Sequence, residues 1–334
     1  MRTDADERFE ANYYSAWSGD HLHLILMPTE KCNFRCVYCY EDFSIGRMAR
    51  PVIDGIKALV ERRAPSLSSL EIGWFGGEPT VAGDIVLEVM RHAQEVCRPR
   101  GVALRGGMTT NGFLLTGPAY RTYWEAGVTD YQITLDGPQE MHDTTRLQAN
   151  GKGSFAAIWS NLLDIKQAGV GGEILVRVHL TKRNIDVIPA FVAEVERVFG
   201  DDPRFRFSLQ KIENLGGPND ISDLLIPAAP SSWGHRAGMP AAVEPRTGAP
   251  ETAMEREHPD DYVCYAAKAN SYVVRADGRI GKCTVALKSD SNCIGHIRQD
   301  GTLAIDDAKL RPWLSGWKSQ DRAALSCPAV SVFA

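Results

Sequence analysis

Two periods of hydrophobic spacing alternate along the first two-thirds of this chain. Short apolar, β-prone runs lie at 21–27 (HLHLILM), 70–75 (LEIGWF), 102–110, 130–135, 173–180 and 204–210. Between them the apolar residues recur at helical spacing. In 83–96, Ile85, Val86, Val89, Met90, Ala93 and Val96 share one helical face. Further helices are predicted near 51–63, 117–126, 154–168 and 186–198. Six strands alternating with helices predict parallel strands joined by right-handed crossovers. Six are too few to close an eight-stranded barrel. The expected fold is therefore α/β, an open partial (β/α)6 barrel of the TIM type over residues 21–210, with its site at the C-terminal ends of the strands.

The pattern lapses from about 211 to 261, where Pro, Gly and Ala dominate. This stretch reads as a linker or bridging region, and structureless segments of such length are usually functional. Residues 262–334 hold four cysteines and the hairpin signal SYVVRADGRIGKC, with Ala-Asp-Gly at its turn. They are expected to form a small second unit. Residues 1–20 are an acidic, polar segment ahead of the first strand. No tandem repeat is visible.

Composition narrows the function by exclusion. A formal charge of −5 gives no electrostatic case for nucleic acid or an anionic membrane. No run of about twenty apolar residues is present, so nothing in the sequence spans a bilayer as a helix. The N-terminus lacks the pattern of a signal peptide, and a cytoplasmic location is expected. There structural disulfides are not maintained, so the eight cysteines call for a chemical role. Cys97 stands alone at a helix end and reads as a buried, inert thiol. The other seven fall into two groups.

The first group is Cys32, Cys36 and Cys39 in KCNFRCVYCYED, with Tyr38 and Tyr40 interleaved. A structural zinc site closes on four ligands. Three thiolates on one loop instead suit three irons of a [4Fe-4S] cluster whose fourth iron stays open. Zinc completed by His21 or His23 is the alternative at this point.

CxxxCxxC on the loop after the first strand resembles the radical S-adenosylmethionine (radical SAM) superfamily. That resemblance implies SAM chelated at the open iron, then reductive cleavage to a 5′-deoxyadenosyl radical that abstracts a substrate hydrogen. Other strand ends match in order. Gly76-Gly77-Glu78 in WFGGEPT matches the family's GGE motif, implying backbone close to the methionyl group and Glu78 accepting from its ammonium. Thr110 and Asn111 in MTTNG are expected near the ribose or amino acid. Asp136 in TLDGP resembles the S/T-x-DG element and is a candidate for binding substrate or ribose. The run DGPQEMHDTTRLQANGKGSF is similar to a motif of members that modify peptides. It implies Arg146 as a carboxylate clamp, with His142 and Asp143 beside it. Ser154 is the expected N-cap of the following helix.

The second group begins with Cys264 and Cys283, in a C-x13-G-x4-C spacing that resembles the opening of SPASM and twitch extensions. Cys293 is additional to that signature. Cys327 holds a CxxCP-like place, but Ala324 and Phe333 stand where further cysteines are usual. Two fully thiolate-ligated clusters need about eight cysteines, so the expectation is one auxiliary [4Fe-4S] cluster. It uses all four thiolates, or three with one cysteine free; zinc on all four is the plain alternative. A free Cys293, or failing that Cys327, would suit the hydrogen-atom donor of a peptide epimerase.

The expected activity is hydrogen abstraction from a residue of a ribosomally made precursor peptide, forming a C–C or C–X cross-link. Epimerisation, formylglycine formation as in sulfatase maturation, and a non-enzymatic Fe–S or zinc redox sensor are the alternatives. The partners implied are the peptide, a reductant such as flavodoxin or ferredoxin, and a separate leader-binding protein. Strand addition along 211–260 is a further expectation.

Overall fold

The computed structural model describes residues 4–226 and 262–333. Helix α1 (Asp4–Trp17) leads into β1 (His21–Leu26) and the short β2 (Phe34–Cys36). Then follow α2 (Arg50–Arg63), β3 (Ser69–Trp74), α3 (Gly83–Cys97), β4 (Ala103–Thr110), α4 (Gly117–Glu125) and β5 (Val128–Leu135). The next elements are α5 (Gln139–Thr145), β6 (Arg146–Gln148), α6 (Phe155–Gln167), β7 (Glu173–Leu180), α7 (Ile188–Phe199) and β8 (Phe205–Lys211). Strands β1, β3, β4, β5, β7 and β8 are the six predicted ones, and every neighbouring pair is parallel. They form the partial barrel.

Burial alternates along these strands and separates the two sheet faces. On β7, Ile174, Val176, Val178 and Leu180 are buried and share a core with Ile158 and Leu162 of α6 and Phe191 and Val195 of α7. Removing each such side chain from water contributes about 1.5–3 kcal/mol. Leu175, Arg177 and His179 point the other way, into the concave interior. Strands of a parallel sheet covered on both faces are continuously apolar. Here the inner face is polar and half-buried, which leaves the interior for a ligand.

The cysteine loop is stitched to this frame by a pairing the sequence pattern did not predict. Strands β2 and β6 lie antiparallel, with Cys36 opposite Arg146. The C-terminal segment continues the barrel sheet, since β9 (Ser271–Val274) pairs parallel with β1. The predicted hairpin joins β9 to β10 (Arg279–Gly281), and Gly278 takes φ +87° at its turn. Strands β11 (Gly295–Ile297) and β12 (Leu303–Ile305) complete the ten-stranded sheet. Short helices α8 (Asp307–Leu310), α9 (Ser315–Ser319) and α10 (Arg322–Ser326) follow.

Two expectations change. The N-terminal segment is a helix, α1, whose Ala16 packs with Val263, Ala267, Trp317 and Leu325 of the extension. The first part of the supposed linker is also packed: Ile212, Ile221 and Leu224 cluster with Val37 and Tyr38, and Asn219 Nδ2 donates to the Val37 carbonyl at 2.8 Å. It covers the cysteine loop. The rest of that stretch, with its expected edge for an added strand, lies outside the described residues. No described helix is long and apolar enough to cross a membrane.

Candidate active site

The loop after β1 is pinned on both sides. Glu30 receives Arg275 of the extension through two bonds, 3.0 Å from Nε and 2.6 Å from Nη2, in a buried pair. On the other side lie Gly76 and Gly77. A Cβ on Gly77 would sit 2.5 Å from the Lys31 carbonyl oxygen, and Gly76 at φ +113° would meet the Thr29 carbonyl. The paired glycines therefore let β3 end against the cysteine loop's own backbone.

Burial raises all three loop thiols above their ordinary titration range. For Cys32 the Glu78 charge adds to it, Arg146 opposes it at Cys36, and Cys39 is pushed up to about 12. Cys36 and Cys39 add to the charge felt at Cys32, and Cys36 to that felt at Cys39, whose N–H donates to the Cys36 carbonyl at 3.1 Å. Buried thiols of this kind become thiolates only against a cation. Among the described residues no three His, Cys, Asp or Glu side chains converge as ligands of one ion. Thiolates that each take a separate iron need no such convergence, so the donor set suits a cluster. The zinc alternative with histidine fails on position. His21 and His23 sit at the start of β1, away from the loop, bonded to Ser69 (2.6 Å) and Ser271 (2.9 Å).

Glu78 is buried and organises the second and third strand ends. Its Oε1 accepts from Thr80 N (3.0 Å), Thr80 Oγ1 (2.6 Å) and Thr110 Oγ1 (2.7 Å), and Oε2 accepts from Asn111 N (2.7 Å). Asn111 Nδ2 donates to Asn33 Oδ1 at 2.8 Å, in the cysteine loop. The structure thus ties Thr110 and Asn111 to Glu78, and leaves acceptor capacity on Oε2 for an ammonium.

Asp136 anchors a buried network. Its Oδ2 accepts from Tyr38 Oη and Thr145 Oγ1, both at 2.7 Å. Its Oδ1 has no hydrogen-bond partner and lies 3.4 Å from His179 Nδ1. Burial alone would raise this carboxyl, but His179, then Arg146, hold it well below the usual carboxylate range. Arg146 donates from Nη1 to Tyr38 Oη at 2.8 Å, while its buried Nε has no partner. Its Nε and Asp136 Oδ1 are the groups this network leaves for a ligand.

His142 and Asp143 have structural jobs in place of the expected polar loop. His142 Nδ1 accepts from Asp136 N at 3.2 Å, and its Nε2 faces Ser154 Oγ at 3.0 Å. Because Ser154 Oγ donates to the Arg146 carbonyl (2.6 Å), the histidine carries its proton on Nε2 and is neutral. Burial, then the Arg146 charge, lowers its pKa to about 4. Ser154 occupies the N-cap position but does not cap α6. Asp143 Oδ1 accepts from Ser154 N (2.7 Å) and Phe155 N (2.9 Å) instead.

The segments of three C-terminal cysteines meet: Cys264 N donates to the Leu325 carbonyl at 2.9 Å, two residues before Cys327, and Tyr265 Oη meets Thr284 Oγ1 at 2.8 Å, next to Cys283. Cys264, raised by burial, feels the charges of Cys283 and Cys327. Buried Asn292 shapes the Cys283 turn, its Oδ1 accepting from Lys282 N and Cys283 N at 2.9 Å each. Lys282 is fully buried between the carbonyls of Lys268 and Ser271, and burial lowers its ammonium to about 7. Cys293 lines a narrow cleft with Arg279, Leu287 and Asn292. Cys327 is exposed. Tyr40, next to Cys39, packs among Met27, Val273 and Tyr265, the last of which reaches Thr284 beside Cys283. Beside it a cavity of about 210 Å³ is lined by Glu30, Glu41, Arg275, Leu287 and Lys288.

Sequence reasoning missed His179, Thr145 and Arg275. His179 lies in an apolar strand run and Arg275 just past one, while Thr145 ends a short polar helix; only His179 left a signal, a polar residue on the inner parity of a strand.

Residues 26–195 match the model of the Radical SAM superfamily. A cysteine-type anaerobic sulfatase-maturating enzyme from Clostridium novyi (strain NT) is 30% identical over 210 residues, 60% of this chain and 53% of that enzyme. The chain spans about half the length of the curated relatives it matches. Among solved structures, native anSMEcpe with bound AdoMet and Cp18Cys peptide gives a TM-score of 0.58 at 17% identity, covering 87% of this chain and 80% of that one. Streptococcus suis SuiB bound to precursor peptide SuiA gives 0.58 at 15%, covering 98% and 74%. At these identities the structural likeness speaks for the fold alone.

Proposed function

This chain belongs to the radical SAM superfamily, and on that premise we propose that it oxidises a residue of a ribosomally made peptide, closing a C–C or C–X cross-link. When bound, a [4Fe-4S] cluster and SAM supply the oxidant that abstracts the hydrogen atom. In this reading Cys32, Cys36 and Cys39 hold the cluster, and Glu78 Oε2 accepts from the SAM ammonium. Asp136 Oδ1, faced by His179 Nδ1 at 3.4 Å, and Arg146 Nε, buried without a hydrogen-bond partner, orient the remaining polar groups. Segment 211–226, folded over the loop, keeps water from the site.

The observation that supports an oxidative outcome is the contact linking the two groups: Tyr40, next to Cys39, packs on the same cluster as Tyr265, whose hydroxyl meets Thr284 Oγ1 at 2.8 Å beside Cys283. A cross-link needs an electron acceptor once the hydrogen has gone. Cys264, Cys283 and Cys327, beside the buried Lys282 ammonium, form the natural seat of one auxiliary [4Fe-4S] cluster, and Cys293 is its fourth candidate ligand. Residues 21–210 then carry the radical step and 262–334 the acceptor, with flavodoxin or ferredoxin as reductant and a separate protein binding any leader.

Formylglycine formation is the second reading, favoured by the 30% identity to a sulfatase-maturating enzyme. Product mass after reaction with the peptide is the test. Loss of two hydrogens supports a cross-link or an aldehyde made from serine, which tandem fragmentation separates, whereas an aldehyde made from cysteine shows a larger loss because sulfur is replaced by oxygen. An unchanged mass with inverted stereochemistry would replace both readings with epimerisation.

A further inference from the structure

Arg177 lies on the inner parity of β7, two residues before His179, so the two side chains share the concave face about 6–7 Å apart along the strand. Thr134 is its register partner on β5 and Ser208 on β8. Its Nε is buried and has no hydrogen-bond partner. No carboxylate among the described residues pairs with it, and burial, with no charged neighbour, depresses its pKa. Arg206 sits on the same parity of β8, opposite Leu175, which adds a second cation to this wall. A guanidinium N–H buried without a partner costs free energy, so such donors are normally satisfied by an anion or by polar partners. Asp130, the inner-face acid of β5, is taken by Arg105 at 2.6 Å.

We propose that Arg177 selects the peptide by gripping one of its carboxylates inside the barrel, through the paired N–H donors of the guanidinium. This rests on the peptide-modifying reading and narrows it to a substrate bearing an acidic side chain or a free C-terminus near the reacting residue. The methionyl carboxylate of SAM has the same chemistry and is the source the experiment must separate.

The test is equilibrium binding, by titration calorimetry, to the anaerobically reconstituted full chain. The probes are SAM and three short peptides: a terminally blocked aspartyl peptide, its blocked asparaginyl twin, and the asparaginyl peptide with a free C-terminus. The account expects at least one carboxylate-bearing peptide to bind about tenfold or more tighter than the blocked asparaginyl twin, an advantage abolished by Arg177→Gln. Arg177→Lys, which keeps the charge without the fork, should retain part of it. Far-UV circular dichroism checks that both variants fold. Equal binding of all three peptides, or an advantage that survives Arg177→Gln, overturns the proposal. So does a folded Arg177→Gln protein that loses SAM affinity while peptide binding is unchanged. Binding needs no turnover, so failure of wild-type protein to cleave SAM would sink the functional reading without deciding this one.

Discussion

The two cysteine regions are built to different degrees of constraint. Around Cys32, Cys36 and Cys39, backbone and side chains over-determine one geometry. The Glu30–Arg275 pair, the Gly77 contact with Lys31, the β2–β6 pairing and segment 211–226 all hold the same loop. Around Cys264, Cys283 and Cys327 the thiols come from a segment before β9, a hairpin end and the exit of a five-residue helix. One turn, shaped by Asn292, is tightly bonded, and Cys327 is exposed. The difference teaches that the first group is fixed by ties from four separate parts of the chain, whereas the second rests on fewer, more local ones.

Substitutions at matched glycines sharpen that contrast most strongly. Gly77→Ala drives a Cβ into the Lys31 carbonyl, and should destabilise the fold by about 1–3 kcal/mol and cost the front site its iron. Gly281→Ala, whose Cβ would lie 3.0 Å from the Asn292 carbonyl, should disturb only the extension. Urea midpoints and iron content of the two variants check this; equal effects would erase the comparison. Next in size, a Cys264, Cys283, Cys327 triple Ala variant should fall from about eight irons per chain to about four. It should still cleave SAM while losing the oxidised product.

The smallest effect is on pH. His142 is buried and neutral, with its pKa lowered from 6.5 to about 4. A depressed folded pKa means that the unfolded chain binds the proton first. The stability is fully present above pH 6.5 and is lost as pH falls toward 4, by about 3 kcal/mol in all. Urea denaturation across that window should show the slope in wild type and flatten it in His142→Asn. A C-terminal variant such as Cys293→Ala should keep the wild-type slope.

The barrel was legible because each strand is a short apolar run with helical spacing on either side, as at Leu22, Leu24 and Leu26 before the cysteine loop. Cys32, Cys36 and Cys39 were legible by spacing. What the sequence could not carry were contacts between distant segments. Phe34 pairs with Gln148, Tyr38 meets Asp136, and Arg275 reaches back to Glu30. Nor does a glycine pair reveal which neighbour needs its missing Cβ. Asp143 took the capping role from Ser154 because its carboxylate reaches two backbone N–H groups at once. Arg177 and His179 were hidden inside a run that reads simply as strand.

The central claim is that radical chemistry belongs to the front loop and that the rear group serves it. Formation of 5′-deoxyadenosine from SAM by the reduced, reconstituted protein tests this directly, comparing wild type with a Cys32, Cys36, Cys39 triple Ala variant. The account predicts robust cleavage in wild type and none above background in the variant. Continued cleavage by the variant would contradict it.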